Sequence, residues 1–540
     1  MSLGLTACVA TGAFGSAGSP KWDLFLQAAS QQHTPAKVSV IAKLSGPLTK
    51  RDRAAIAKLG GSVTRELSIV NSVCVTLPSK KLESLSRLSK IAHLSYDAQV
   101  KKTDSFTVNG TYANVAFQQY GATGAGVTVA VMDSGIYPDA DVASRIVANV
   151  SMISGLSPVD QCGHGTHVSG ILAGNGAQST GSQFTQSYMG VARAANLVNV
   201  RVLDQTGSGS VSNVIAGIQW VVQNQPTYHI RVLNISIGHP VGEPSKSDPL
   251  CQAVEKAWKA GIAVVVAAGN DGRLDSFPLP LLPNSGYGTN YGTVECPGND
   301  PDVITVGAMK QVDNNRNDDE VASYSSRGPS LFDFTVKPDI MAPGNLITST
   351  LNAPTSWLAQ NYESDIRVAN SAYIKGGTGY SSNYAILSGT SMATPVVSGA
   401  VALMLQLQPN LTPDTVKVRL MVSADKWADL LGLGDPCTYG AGFLDIPAAI
   451  NSPCNATSTA QSPGLNETLL GTVVFDLLGP LLGDGNLSLT QVYGQRAMWG
   501  TSTLASSRAM WGTSTWGDTQ QKNFTILGIN LSNNILLSGE

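Results

Sequence analysis

Between about residues 116 and 450 the chain carries five short, nearly continuous apolar runs: "VTVAVM", "LVNVRVL", "VLNISI", "IAVVVAA" and "VITVGAM". A strand with one face in water alternates apolar and polar residues, whereas a strand covered on both faces does not. Helical patterns such as "VSNVIAGIQWVVQ" and "LCQAVEKAWKAG" separate several of the runs. Buried parallel strands joined by helices satisfy this pattern. The sequence therefore predicts an α/β fold, a central parallel sheet flanked by helices. "MATPVVSGAVALMLQLQP" is apolar nearly all round, the mark of a helix buried in a large core. In "LTPDTVKVRLMV" Thr412 is the expected N-cap and Pro413 the first helical residue.

On either side the texture changes. Residues 36–103 begin with the strand-like "AKVSVIAKL" and the helix-like "LTKRDRAAIAKLG". "SVTRELSIVNSVCVTLP" supplies two strands, "SKKLESLSRLS" a helix and "KIAHLSY" a last strand. The order β-α-β-β-α-β predicts a small α+β module of ferredoxin-like type. Its end is a polar, aperiodic linker, "DAQVKKTDSFTVNGTYAN". The expected division is a leader over 1–35, the small module over 36–103, the α/β domain over 104–450 and a tail over 451–540. The tail is rich in Ser, Thr and Asn and repeats "RAMWGTST", too few times for a solenoid.

Charge and cysteine usage exclude more than they identify. A net charge of −3 offers no electrostatic case for nucleic acid or an anionic membrane. The strand-like run "GIAVVVAAG" is far too short to span a bilayer. No two of the Cys 7 form a C-x-x-C pair, which argues against a structural zinc site. The leader is small and apolar with no basic start, like the end of an export signal. Its "LTAC" resembles a lipobox with Cys8 as acceptor, so a lipoprotein is the alternative if the true start lies upstream.

Four stretches carry chemistry. "VAVMDSG" ends a predicted strand at Asp133, "GHGTHVSG" opens a helix near His164, "VVVAAGN" leads to Asn270, and "LSGTSMATP" sets Ser391 at the start of the buried helix. Active sites of open α/β sheets lie at the C-terminal ends of strands. His164 and His167 share a helix face, but no third ligand follows at metal spacing, and there is no H-E-x-x-H. Acyl transfer needs a nucleophile, a base, a carboxylate that orients the base, and a donor for the oxyanion. Ser391, His164, Asp133 and Asn270 are the residue types for those roles, and Gly389 leaves room beside Ser391 for a substrate backbone.

With "DSG", "HGTHVSG", "AAGN" and "GTSMATP" in the order Asp, His, Ser, the chain resembles the subtilisin-like serine proteases. That order of the three residues is the one the family carries. "DQTGSGS", "NISIG", "SYSSRGP" and "KPDIMAPG" extend the likeness over most of residues 120–450. The resemblance implies a secreted serine endopeptidase acting on protein or peptide substrates. It implies His164 as base, His167 as a structural neighbour, and no cofactor in the chemistry. A structural calcium ion is compatible with it, with no metal ligand assignable. It implies that residues 36–103 are an intramolecular inhibitor, making the chain a zymogen, and a monomer is expected. Ser208, Gly209 and Ser210 match one substrate-binding wall, and Ser236, Ile237 and Gly238 the other. His239 stands where many relatives carry glycine. Two segments, 271–295 and 346–386, are longer than in compact members and are candidates to cover the cleft. Glu295 falls at the floor of the main specificity pocket, where relatives carry a small residue. It would select Lys or Arg before the cut, unless it turns outward into solvent. Lys101 or Lys102 at the self-cleavage point would satisfy it. Cys251 with Cys296, and Cys437 with Cys454, are the candidate disulfides. Cys162 is a reactive thiol or a buried apolar residue. The alternatives are an inactive scaffold of the same fold and a sedolisin-type protease, the latter opposed by H-G-T-H and A-A-G-N.

Overall fold

The computed structural model describes residues 21–22, 37–67, 72–96, 108, 110–274, 288–311, 316, 319–351, 355–362, 366–426, 435–467 and 473–475. The chain divides into two compact units, Met1–Lys102 and Thr103–Glu540. Cys8, Lys101, Lys102 and the "RAMWGTST" repeats lie outside the described residues.

In the first unit the elements run β1 (Lys37–Leu44), α1 (Lys50–Lys58), β2 (Ser62–Leu67), β3 (Ser72–Pro78), α2 (Leu82–Ser86) and β4 (Ile91–Tyr96). The antiparallel sheet has the order β2-β3-β1-β4. Val38, Val40, Ala42 and Leu44 of β1 are buried, a period of two that turns one face to the helices. Ile56 of α1 and Leu82 and Leu85 of α2 share that core. α1 starts at a reciprocal cap: Thr49 Oγ1 accepts from the Asp52 N–H at 3.2 Å, and the Asp52 carboxylate accepts from the Thr49 N–H at 2.9 Å.

The second unit opens with α3 (Ala113–Tyr120), β5 (Thr128–Asp133), β6 (Ile146–Ser151), α4 (His164–Ala173), β7 (Asn196–Arg201), α5 (Val211–Tyr228) and β8 (Ile230–Ile235). α6 (Pro249–Lys259) and β9 (Ala263–Ala267) follow, then the short pair β10 (Arg273–Leu274) and β11 (Gly288–Thr289). Next come β12 (Ile304–Lys310), β13 (Glu320–Val321), β14 (Ile340–Pro343), β15 (Ile347–Thr350), α7 (Trp357–Asn361), β16 (Arg367–Ala369) and β17 (Tyr380–Leu387). α8 (Thr390–Leu407) and α9 (Pro413–Ser423) are the last long helices described. One sheet has the order β13-β12-β9-β8-β5-β7-β6, with β14 also paired to β12. Its pairings are parallel except for β13. β5 and β9 are buried along their whole length, which is why their sequences do not alternate.

α8 is buried from Thr390 to Leu405 and touches β5, β8, β9, β12 and β14. By composition it is apolar enough to cross a membrane, but 89% of it is buried inside the protein. Truncating Leu403, fully buried there, should cost ~2–5 kcal/mol. α9 begins as its sequence predicts: Thr412 Oγ1 accepts from the Thr415 N–H at 3.1 Å, with Pro413 in the first turn.

The long segment 346–386 forms a three-stranded sheet in the order β15-β17-β16. Val368, Tyr373 and Tyr384 pack with Tyr188 and Phe184 in a cluster of their own. α7 of the same segment lies against the α4 entry, where the Leu358 N–H donates to the Cys162 carbonyl at 3.0 Å.

Candidate active site

Asp133 is the last residue of β5 and His164 the first of α4. His164 Nδ1–H donates to Asp133 Oδ1 at 2.8 Å, and both side chains are fully buried. The same carboxylate oxygen accepts from the Ser134 N–H at 2.7 Å. Behind it, Asp160 gathers the entry to α4. It accepts from the N–H groups of Cys162, Gly163 and Thr166 at 2.9 Å each, from Ser134 Oγ at 2.9 Å and from Thr166 Oγ1 at 2.6 Å. A Cβ on Gly165 would stand 3.0 Å from the Asp133 Cβ, so only glycine lets the helix start this close to the strand end.

Burial pulls the His164 imidazole down, but the Asp133 charge and hydrogen bond, with Asp160 behind them, push it further up, and the balance is a raised pKa. His164 Nε2 is buried without a hydrogen-bond partner. An orphan of that kind in a polar site is a proton acceptor in waiting. His167 differs. Burial drives its pKa down to about 3, so it is neutral, and its Nε2–H donates to the Ala385 carbonyl at 3.2 Å. Cys162 is fully buried and its thiol is pushed up by burial, which removes the reactive-thiol reading.

Ser391 lies in the first turn of α8, behind Gly389 as N-cap, so it is not itself the cap. Its Oγ donates to the Ser236 carbonyl at 2.9 Å. The hydroxyl bond is thus to Ser236 and not to His164; a rotation about χ1 is needed to exchange one for the other. A buried polar chain supports this corner. Ser398 Oγ donates to Asn234 Oδ1 at 2.8 Å, Asn234 Nδ2 to Ser236 Oγ at 2.9 Å, and Ser236 Oγ to the Ser391 carbonyl at 3.0 Å. Asn270 follows β9 by a short loop. Its Oδ1 accepts from the Thr390 N–H at 2.9 Å and faces Thr390 Oγ1 at 3.3 Å, which fixes the amide and leaves Nδ2 as the outward donor. A Cβ on Gly389 would come within 3.5 Å of that Nδ2, and the residue has φ 150.

Asp133 ends β5, and Ser236 and Asn270 follow β8 and β9; the three strands are parallel neighbours in one sheet, so the site sits at its C-terminal edge. Asp160, Ser134, Asn234 and Ser398 were not singled out from sequence. The one available signal was an asparagine inside the otherwise buried β8 run.

Gly209 bridges back to Leu203, and Ser210 caps α5 by accepting from the Asn213 N–H at 3.3 Å. Ser208 donates its N–H to Asp204 Oδ1 at 3.1 Å. Between this turn and Ile237–Gly238 lies a small depression lined by Leu203, Gly209, Val214, Ile237, Gly238, His239 and Leu250. Glu295 does not swing free into solvent. It is half-buried between two glycines: a Cβ on Gly238 would meet the Glu295 Cβ at 2.9 Å, and one on Gly269 would meet its Cγ at 2.8 Å. Burial and the nearby Asp271 push its carboxyl up to about 8.

Glu255, Asp300 and Asp302 bring carboxylate oxygens within 4.8 Å of one another. The oxygen-only set is of calcium type, but Asp302 Oδ1 already accepts from Gln461 Nε2 at 2.9 Å, and Lys417 Nζ donates to the Pro301 carbonyl beside it at 2.6 Å. Cys74, Cys162, Cys251, Cys296, Cys437 and Cys454 are free thiols. Of the two expected disulfides, Cys251 and Cys296 come together, with Sγ atoms 3.6 Å apart, but unbonded.

A parallel α/β sheet with a buried Asp–His pair at its edge, and a serine in the first turn of a core helix there, defines a hydrolase of the serine type. Residues 124–442 match the model of the subtilase family. The chain is 40% identical to serine protease AprX of Bacillus subtilis over 383 residues, 69% of this chain and 77% of that protein. It is 32% identical to subtilisin E of Bacillus subtilis over 434 residues, 78% of this chain and 92% of that protein. M-protease of Shouchella clausii is 31% identical over 388 residues, 71% and 80% of the two chains. The chain belongs to the subtilase family and is a subtilisin-like serine endopeptidase.

Proposed function

We propose that Asp133, His164 and Ser391 are the catalytic triad, with Asn270 as oxyanion donor, of a secreted protease made as a zymogen. The observation that carries this is the 2.8 Å bond between His164 Nδ1 and Asp133, which leaves a buried, unpartnered Nε2. Asp133 fixes the tautomer with the proton on Nδ1, so Nε2 carries the lone pair. Ser391 Oγ leaves the Ser236 carbonyl, gives its proton to Nε2 and attacks the scissile carbonyl. The negative oxygen that forms is held by Asn270 Nδ2 and by the positive end of α8. His164 then protonates the departing amine. Water, deprotonated by the same Nε2, hydrolyses the acyl-serine and restores the hydroxyl. No cofactor enters these steps.

Residues 36–103 are read as the propeptide and inhibitor, 1–35 as the export leader, 104–450 as the catalytic domain and 451–540 as a tail. Ser208–Ser210 and Ser236–Gly238 flank the extended substrate, and Glu295 favours a basic residue before the cut. The inward setting of Glu295 between Gly238 and Gly269 supports that preference. The enzyme acts as a monomer on protein or peptide substrates, its own propeptide included.

Intact mass and N-terminal sequencing of the purified product test this reading. Wild type should be shortened by a cut near Lys102, and Ser391→Ala should remain full length. A Ser391→Ala protein that matures normally would overturn it.

A further inference from the structure

We propose that His239, Asp248, Cys251 and Cys296 form a zinc site beside the specificity pocket. Cys296 lies far along the chain from the other three, and no two cysteines have C-x-x-C spacing, which is why the sequence argued against structural zinc. The fold joins them in two pairs. His239 and Cys296 form an isolated antiparallel bridge, with the His239 N–H donating to the Cys296 carbonyl at 3.0 Å and the Cys296 N–H to the His239 carbonyl at 2.8 Å. Residues paired this way present their side chains on one face. Asp248 and Cys251 lie at the start of α6, where Asp248 Oδ1 accepts from the Leu250 N–H at 2.8 Å and the Cys251 N–H at 3.0 Å.

Three of the donor sets converge, and the fourth lies against one of them. Ligand atoms of His239, Asp248 and Cys296 lie within 4.8 Å of one another, and Cys251 Sγ is 3.6 Å from Cys296 Sγ. Two thiolates at ~2.3 Å from a tetrahedral zinc stand ~3.8 Å apart, close to the observed separation. Cys296 Sγ is 3.3 Å from Asp248 Oδ1, again near a tetrahedral edge. His239 is oriented as metal-bound histidines are: Nδ1–H donates to the Pro240 carbonyl at 2.9 Å, and Nε2 is buried with no partner. Asn299 adds an independent sign. Its Oδ1 accepts from Cys251 Sγ at 3.4 Å while its Nδ2 is buried and unpartnered. Turning that amide over would direct an N–H at a thiolate and satisfy the orphan.

Two thiolates, an imidazole and a carboxylate form a borderline-soft set that selects zinc over calcium or magnesium. Binding releases the two thiol protons. The site adjoins one wall and the floor of the pocket, because His239 follows Gly238 and Cys296 follows Glu295. The metal would lock the spacing between that wall and Glu295.

Zinc retention by the reduced full-length Ser391→Ala protein tests this without any activity readout, and so separately from the catalytic reading. Elemental analysis after desalting should find one zinc per chain, and cobalt should give a thiolate charge-transfer band. Cys296→Ser should abolish the band. His239→Ala removes a half-exposed ring and should keep the fold by circular dichroism. It should weaken zinc binding at least ~10-fold, since outer partners of a ligand alone are worth ~10–100-fold. No retained zinc, or retention unchanged in folded His239→Ala, would overturn the proposal. So would a Cys251–Cys296 disulfide in the isolated protein whose reduction creates no zinc capacity.

Discussion

In the proposed mechanism Asn270 performs two tasks with the two ends of one amide, and substitution can separate them. Its Oδ1 holds the Thr390 N–H at 2.9 Å, one of the unpaired donors of the first turn of α8. Its Nδ2 is the proposed oxyanion donor. Asn270→Leu removes both. Leaving the Thr390 N–H without a partner should cost ~1–3 kcal/mol of stability. Loss of an oxyanion donor should lower kcat by ~10²–10³, equivalent to ~2.7–4 kcal/mol, a scale set by a related subtilisin rather than by this structure. Asn270→Asp keeps an oxygen for Thr390 and puts an acceptor where the donor was. Stability should then stay within about 0.5 kcal/mol of wild type, helped by a negative charge at the helix start, while kcat falls at least as far as in the leucine variant. The assay is steady-state kcat and KM on a peptide series, with thermal melts in a Ser391→Ala background to suppress self-digestion. A wild-type kcat in Asn270→Asp, or a loss confined to KM, would refute the assignment.

The proposed mechanism requires His164 unprotonated, and its pKa is raised above the ordinary 6.5 by Asp133 and Asp160, which outweigh burial. The acid limb of kcat/KM should lie above 6.5. The pair's contribution to stability runs the other way, being full below 6.5 and lost as pH rises through the folded value. Asp133→Asn should move the acid limb of residual activity downward, and an unmoved limb would reject His164 as the titrating base. Glu295→Gln should weaken a preference for Lys or Arg before the cut by about 1–3 kcal/mol on a peptide library, whereas an unchanged preference for large apolar residues would reject the pocket assignment. Asp160→Ala should cost at least ~3 kcal/mol in denaturant melts, because it strands several buried donors at the α4 entry. A loss below 1 kcal/mol would mean that water replaces the carboxylate.

Features set by local sequence were readable in advance. The apolar run of β5 ends at Asp133 because that carboxylate cannot continue a buried strand. α4 opens at His164 because Gly163, at φ 106, turns the chain just before it. α9 begins at Thr412 and Pro413 for reasons that each residue carries by itself. What was not readable depends on space made by distant residues. Glu295 turns inward because Gly238 and Gly269, from two other segments, have no side chains to exclude it. Ser391 rests on Ser236 rather than His164, a rotamer choice between an acceptor just after β8 and one at the start of α4. The Cys251–Cys296 encounter was expected as a disulfide. Its setting beside His239 and Asp248 follows from one β-bridge and one helix cap, neither of which leaves a spacing signature.

The central claim is that Ser391 is a nucleophile activated by His164. Labelling the intact protein with a serine-directed phosphonate, followed by peptide mapping, tests it most directly. One adduct should form, on Ser391, and Asp133→Asn and His164→Ala should slow it by ~10⁴ or more, the scale of losing a triad member. No adduct, an adduct on another serine, or labelling of Ser391 at an unchanged rate in His164→Ala would contradict it.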